Sequence, residues 1–384
     1  MVPTRYGPRV GGGAEAVLAE VAHGFHSRGW AVDVVTTCAR DHYTWANEFP
    51  AGASDDAGVR VLRFPTIYKP NRVREHIGGL IYAGASVPIQ DQYRWLNHGV
   101  RVPGMHEYLL DHGREYRAIV FAPYMFWTTV ACAEIAPERT VVHPCLHDEP
   151  EARLEIFRSL FQDSRGLWFQ TDPELELANR IFELPSRVAM TGCAVDPPAG
   201  YDAEGFRRRH GLEGDFLLFA GRREWGKSWP QLLEYLEFAN QTLPRPLQLV
   251  TMGVGEVGRT PANTRLHDLG WLDDQERSDA MAAATVYVQP SPLESFSRTI
   301  MEAWLALTPV LANARSAVVD WHCRRSGAGL VYRDRYEFAE CLRLLLEERE
   351  LARQMGRAGR EYVLENYRRE RVLDAMEKSL EEWT

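Results

Sequence analysis

The chain has 384 residues, 45% apolar and 25% charged, which is ordinary globular usage but more than one core comfortably organises, so two domains are expected. A formal net charge of −9 argues against nucleic acid or an anionic membrane as the main partner. No apolar run reaches the ~18 residues of a membrane span, no basic-then-apolar leader opens the chain, and six cysteines without a CxxC pair read as reduced thiols of a cytoplasmic protein.

The first candidate strand is short, since only Met1-Val2-Pro3-Thr4 precedes a glycine loop; it is either very short or cut by the start of the sequence. Gly11-Gly12-Gly13-Ala14-Glu15-Ala16 then leads into an amphipathic helix over 14–28. Glycines let a ligand approach the backbone, and a helix amino terminus favours an anion. The loop formally fits the dinucleotide pattern GxGxxA, which also wants an acidic residue at the end of the second strand. That strand, 32–35, ends in Thr36-Thr37 and holds Asp33 in its interior, so the pattern lacks its partner. An empty tight loop and an anion site both stay open at this point.

Further strands are expected over 59–64, 119–121, 140–143 and 167–169, with helices over 107–116, 125–136, 151–162 and 173–182. Residues 66–104 break the alternation and are assigned to an insertion near the cleft. The Gly/Pro-rich stretch 191–200 reads as a linker. The pattern then restarts, with strands over 216–219, 247–252, 286–289, 310–312 and 330–332 and helices over 228–241, 274–284, 297–306, 337–347, 351–365 and 370–383. Alternation of this kind builds parallel sheets with helices on both faces. The expected class is α/β, two tandem Rossmann-like doubly wound domains facing a cleft, divided as 1–193 and 194–366, with a helix in 367–384 crossing back to the first domain.

Two stretches of the second half carry candidate chemistry. Phe216–Ala220 runs into Gly221-Arg222-Arg223-Glu224-Trp225-Gly226-Lys227, where Arg222 and Lys227 can turn toward one anion. Arginine offers phosphate a fork and lysine a point charge, and Lys227 is one of only three lysines among 44 basic residues. A solvated basic loop is the bland reading. Downstream, QPSPLESFSRTIMEAWLALTPVLA places Glu294 and Glu302 eight residues apart, with a helix expected to start at 295–297 and to exit at Leu307-Thr308. Fully helical rise would separate the two carboxylates by about 12 Å. That matches the reach from a sugar across a diphosphate to a ribose, although two such glutamates can equally be solvent-facing.

Taken together, these motifs resemble the family-4 glycosyltransferases of the GT-B fold. The resemblance rests on the glycine loop Gly11–Glu15, on Gly221-Arg222 with Lys227, and on the E-x7-E pair Glu294 and Glu302, flanked by Pro290-Ser291 and 308–312. It implies a retaining hexosyltransferase that needs no metal or other cofactor and uses a nucleoside diphosphate sugar as donor. Arg222, Lys227, Gly12 and Gly13 would bind the diphosphate. Glu302 would hold the ribose, and Glu294, with the amides of Phe296 and Ser297, the transferred sugar. Leu269-Gly270-Trp271-Leu272 resembles the loop beside the base. His147, in TVVHPCLHDE, is the expected catalytic-side residue of the first domain, with the alternative that 147–149 merely open the next helix with Asp148 as its cap. A metal pair of His143 and His147 is disfavoured by Pro144 and by the lack of further ligands.

Two departures stand out, Ser297 and Ser228, each where the family usually has glycine, and Arg315 stands in place of a later glycine-rich stretch. A sugar-nucleotide epimerase or phosphorylase of the same fold, or a catalytically silent binding protein, stays open beside transfer. Arg207-Arg208-Arg209-His210 reads as a solvated helix face or as a peripheral membrane contact. Base, sugar, acceptor and oligomeric state are not legible.

Overall fold

In the computed structural model, which describes residues 1–383, the chain forms two compact units: Met1–Ala194 with the segment from Arg369 onward, and Val195–Arg368. Among the described residues no helix is long and apolar enough to cross a membrane, and all six cysteines are free thiols.

The first unit begins with β1 (Val2–Pro3), α1 (Gly13–Ser27), β2 (Asp33–Thr37), β3 (Gly52–Asp56) and β4 (Val59–Phe64). Helices α2 (Arg72–Tyr82), α3 (Ile89–Asn97) and α4 (Pro103–His112) follow, and then β5 (Ile119–Ala122), α5 (Trp127–Ala133), β6 (Thr140–Val142), α6 (Arg158–Asp163), β7 (Gly166–Phe169), α7 (Asp172–Ile181) and β8 (Val188–Met190). The strands β1-β5-β6-β7-β8 form a parallel sheet, and β2-β4-β3 a smaller one in which only β3 runs antiparallel. The two adjoin, because the Val35 N–H donates to the Met1 carbonyl at 2.9 Å and the Thr36 and Thr37 hydroxyls reach the carbonyls of Pro3 and Thr4. The first strand is therefore real but two residues long. Asp33 opens β2, at the end opposite the one a ribose partner would occupy, and is held there by Arg60 and by the Tyr116 hydroxyl, so it is a structural acid and not the ribose partner of a dinucleotide site.

Several expectations need correcting here. Residues 66–104 carry the α2–α3 pair, which packs on the core through Ile77, Ile81, Trp95 and Leu96. The single helix expected over 151–162 is broken into 3₁₀ turns at Pro150–Arg153 and Glu155–Phe157 before α6, because Leu154 is extended. Burial of Ile156 and Phe157 in the core overrides the local helical pattern. The strand β3 is exposed at every position and so carries no apolar alternation to read. Asp148 caps no helix; its carboxylate pairs with Arg153 at 2.6 Å.

The second unit comprises α8 (Ala203–His210), β9 (Phe216–Ala220), α9 (Trp229–Asn240), β10 (Gln248–Met252), β11 (Leu266–Asp268), α10 (Asp274–Ala283), β12 (Val286–Gln289), α11 (Arg298–Leu305), β13 (Val310–Asn313), α12 (Ala317–Ser326), β14 (Gly329–Tyr332), α13 (Arg335–Glu347) and α14 (Arg349–Asn366). Its six strands make one parallel sheet in the order β11-β10-β9-β12-β13-β14. The short α8, β8 and β11 and the polar-patterned α12 went unread in the sequence. The basic run on α8 is paired internally: Arg209 meets Asp202, Glu276 and Asp279, and His210 meets Glu276.

Two glycines of α14 fix where α11 lies. A Cβ at Gly356 would meet the Leu307 carbonyl oxygen at 2.0 Å, and one at Gly359 would meet the Trp304 ring at 2.4 Å. Only hydrogen fits at either place, so the two helices approach closely and α11 is held rigidly beneath the loop that precedes it. The last helix, α15 (Arg369–Glu382), belongs to the first unit. Its Ser379 hydroxyl accepts from Trp168 Nε1 at 2.7 Å, and its Glu377 accepts from Trp30 Nε1 and Arg28. Gly24 and Gly166 make room for Leu373 and Trp383.

Candidate active site

In the second unit the strand sequence reverses between β9 and β12, and the loops leaving their carboxyl ends flank that reversal, which is where open α/β sheets bind ligands. After β9 the chain passes Gly221 and Arg222, makes a 3₁₀ turn over Trp225–Lys227, and enters α9 through Ser228. After β12 it passes Pro290 to Ser297 and enters α11. Ser228 and Ser297 have φ of 53° and 69°, left-handed values where a side chain costs roughly 1 kcal/mol and glycine costs nothing. That is the physical content of the two glycine-to-serine departures. The Ser297 hydroxyl offsets its strain by accepting a hydrogen bond from Gln289 Nε2 at 2.7 Å.

Helix α11 begins at Arg298, not at 295–297, so Glu294 lies in the loop and only Glu302 on the helix. The separation of the two carboxylates is thus set by a left-handed turn as well as by helical rise. Lys227 Nζ donates to Glu294 Oε1 at 2.6 Å, both side chains being mostly buried. Arg222 pairs instead with Glu224, at 3.0 Å, and remains half-exposed. Glu302 is met by Arg277 of α10 at 3.4 Å. Burial raises the Tyr287 phenol above its ordinary value, and Glu294 and Glu302 both add to the rise.

Residues that sequence reasoning missed hold this arrangement. Phe296 is buried edge-on against His322 and Tyr367, with ring centroids 5.2 and 4.9 Å apart, and the Tyr362 hydroxyl lies 2.9 Å from His322 Nδ1. Burial holds His322 at about 3, so this imidazole is neutral and acts as a packed wedge behind the Phe296 turn. Asn313 donates to the Pro290 carbonyl at 2.9 Å and accepts from the N–H of Arg315, an exposed residue. The buried Arg223 pairs with Asp268 and donates to the Gly255 carbonyl, tying the basic loop to the loop that carries Trp271 and Leu272. Gly253 permits that approach, since a Cβ there would meet the Gly221 carbonyl oxygen at 2.2 Å. The doubled glycine Gly253-Val254-Gly255 after a strand was the available signal. Trp271 is half-exposed, and Trp225 is 83% exposed.

The remaining expected site residues lie in the first unit. Gly12, at φ 149°, lets the Glu15 carboxylate fold back over it, for a Cβ there would meet Glu15 Oε2 at 2.1 Å. Glu15 in turn accepts from Arg5 Nε at 3.0 Å and from the Thr4 hydroxyl. The loop thus already accommodates an anion of the chain itself, while a Cβ at Gly13 would meet nothing within 4 Å. His147 is in the loop after β6, its Nδ1 3.2 Å from Glu149. Burial alone would raise the Glu149 carboxyl, but bonds from His147 and the Tyr124 hydroxyl hold it below its ordinary value. Glu174, buried and pushed up to about 7, accepts from the Leu146 and Gln170 N–H groups and so shapes this loop from beneath. His143 is buried, held at about 4 by desolvation and bonded to Gln170, which separates its role from that of His147.

Residues 202–362 match the family model of the glycosyl transferases group 1. Solved structures superpose over nearly the whole chain. Sucrose-phosphate synthase from Thermosynechococcus elongatus has a TM-score of 0.75 at 16% identity, covering 99% of this chain and 98% of that one. WaaG, a glycosyltransferase involved in lipopolysaccharide biosynthesis, gives 0.68 at 17% identity over 100% of both chains. Anabaena HepE in complex with UDP and glucose gives 0.68 at 14%, covering 99% and 98%. The fold is GT-B. No curated protein matches the chain in sequence. The GT-B fold consists of two Rossmann-like domains, and the residues 202–362 that match the family fall within the second, the unit that holds Lys227 and Glu294.

Proposed function

We propose that this protein is a retaining, metal-independent glycosyltransferase that moves a hexosyl group from a nucleoside diphosphate sugar to an acceptor. The observation that carries the reading is the 2.6 Å contact between Lys227 and Glu294. In a sugar nucleotide the anomeric carbon and the diphosphate share a bond, so the group that holds the sugar and the group that neutralises the phosphate must be neighbours. Here a cation suited to phosphate and a carboxylate suited to sugar hydroxyls are within one hydrogen bond of each other.

In this reading the donor diphosphate replaces Glu294 on Lys227 and Glu224 on Arg222, and both cations stabilise the charge that develops on the leaving diphosphate. Glu294, released, accepts from hydroxyls of the transferred sugar, helped by the N–H groups of Phe296 and Ser297. Glu302 turns from Arg277 to the ribose, and Trp271 and Leu272 face the base. The carboxylates hold the donor and are not an acid and nucleophile of the glycosidase kind.

A thermal-shift panel of UDP, GDP, ADP and dTDP and their sugars tests the proposal. The known complex of Anabaena HepE with UDP-glucose makes UDP the first to try. A nucleotide at 100 times its dissociation constant adds about 2.7 kcal/mol to stability. Absence of stabilisation by every nucleotide overturns the proposal, and donor turnover without acceptor, yielding an epimer, favours an epimerase instead.

A further inference from the structure

Helices α2 and α3 leave apolar surface in water. Of thirteen exposed large apolar or aromatic side chains among the described residues, five fall in one short stretch: Ile67, Leu80, Tyr82, Ile89 and Tyr93. Single exposed apolar residues are ordinary, but a group of them marks a contact surface. From Ile77 to Gln90 fourteen successive residues carry no Asp, Glu, Lys or Arg, and this run spans the end of α2, the connecting loop and the start of α3. Leu80, Tyr82, Ala83, Ala85, Pro88 and Ile89 within it are all exposed.

The exposure does not come from a loose loop. The N–H groups of Ala83, Gly84 and Ala85 return to the carbonyls of Gly79, Ile81 and Leu80, each at 3.0 Å, and close α2 with Gly84 at φ 73°. Val87 is buried, and the buried Gln92 side chain donates to its carbonyl at 2.8 Å. Ile77, Ile81, Trp95 and Leu96 of the same helices sit in the core, so the hairpin is anchored with its apolar tip outward.

Positive charge stands behind the tip. The whole chain is negative, yet residues 66–104 hold five basic residues against two acidic. Arg74 is turned over the Trp95 ring at 4.3 Å, and Arg94 shares its charge with Asp91 at 2.9 Å. The exposed excess therefore rests on Lys69, Arg72 and Arg101 against Glu75, with Arg101 tied to Ile67 by two backbone hydrogen bonds. Arg72, His76 and Leu80 recur every four residues and form one stripe of α2. Helical rise puts Arg72 about 12 Å behind Leu80, and Arg94 about 8 Å beyond Ile89. A groove of about 390 Å³ between the helices, lined by Val73, Ile77 and Leu80 and by Arg72 and Arg94, joins the apolar and cationic ends.

We propose that the tip of the α2–α3 hairpin seats the protein on an anionic lipid surface. Apolar faces in such contacts sink about 5–10 Å into the boundary between headgroups and acyl chains. At that depth Leu80, Tyr82 and Ile89 are covered, and the long side chains of Arg72 and Arg94 reach the phosphates. Tyr82 and Tyr93 suit the boundary, each with an apolar ring and a polar hydroxyl. A second copy of the chain fits less well, because a two-fold contact through this surface would gather like charges.

The full chain is sedimented with vesicles of phosphatidylcholine alone and of phosphatidylcholine mixed with phosphatidylglycerol. Binding to the mixed vesicles that weakens as salt is raised is the expected result. Lys69→Gln and Arg72→Gln should each weaken it about fivefold. Leu80→Ser together with Ile89→Ser should abolish it, whereas Leu110→Ser, at another exposed apolar position of the first unit, should leave it unchanged. Unchanged urea midpoints show that these surface variants are folded. No binding to the mixed vesicles, binding that the hairpin substitutions leave unaltered, or an equal loss from Leu110→Ser overturns the proposal. So does a concentration-dependent dimer that Leu80→Ser dissolves, which would assign the tip to a second copy. None of these readouts depends on sugar transfer, so the proposed activity and this surface fail independently.

Discussion

Each unit places an ion pair beside a switch-point loop, and the two pairs differ in what surrounds them. In the first, Arg5 and Glu15 are 7% and 10% exposed, and the Arg5 side chain also donates to the carbonyls of Gly11 and Arg40. In the second, Lys227 is 28% exposed and pairs with Glu294, and Arg222 is half-exposed on Glu224. A charge pair locked by several further bonds can only be structural, since any ligand must first break a satisfied network. A pair joined by one bond at the water's edge can exchange its partner for phosphate. The glycine loop, which looked the more ligand-like of the two in sequence, is filled from within.

The largest effect that can break this comparison is in the second pair. Glu294→Gln is expected to keep nucleotide affinity while transfer falls at least about a hundredfold. Lys227→Ala should weaken nucleotide binding and transfer together, by roughly 10- to 150-fold for a lost charge-assisted bond. Equal nucleotide affinity of Lys227→Ala and the parent, by titration calorimetry, would remove Lys227 from the phosphate site.

Next in size is the first pair. Arg5→Ala leaves the Glu15 carboxylate buried without its cation, and a loss of about 3–5 kcal/mol in urea unfolding is expected. Nucleotide affinity of the folded fraction should not change; a parallel loss of affinity would mean that this loop does serve the ligand. Gly359→Ala should cost about 1–3 kcal/mol by overpacking against Trp304. Because α11 carries Glu302, a shift in donor KM beyond any change in thermal midpoint would show that the helix contact positions the site.

Acid stability gives a smaller and signed test. His143 and His322, held at about 4 and about 3, stay neutral in the native state while the unfolded chain takes up protons below 6.5, so each loses its contribution as pH falls. Glu174, raised to about 7 from 4.5, acts oppositely, since the native state binds its proton first. The buried Met1 amino group, lowered to about 5, acts in the same direction as the two histidines, so stability is expected to fall as pH drops from about 6 to 4.5. Replacing His322 by Phe should flatten that slope in urea midpoints measured across this range. The smallest effect is Ser297→Gly. Relief of left-handed strain and loss of the Gln289 hydrogen bond nearly cancel, so stability should move by less than about 1 kcal/mol with transfer retained. Loss of transfer here would mean that the hydroxyl touches the donor.

Period and punctuation made much of the architecture readable. Buried strands such as 216–219 and 286–289 announce themselves because both faces of a parallel sheet are apolar, and the long helices because one face is. Motif spacing singled out Lys227, Glu294 and Glu302, and the same comparison of motifs marked Ser228 and Ser297 as unusual. Tertiary structure alone decided the rest. It chose Glu294 over Glu224 as the partner of Lys227, filled the glycine loop with Glu15, and set Phe296 against His322 and Tyr367. Such facts follow from which strand ends share an edge, and strand order is a long-range property that local pattern does not encode.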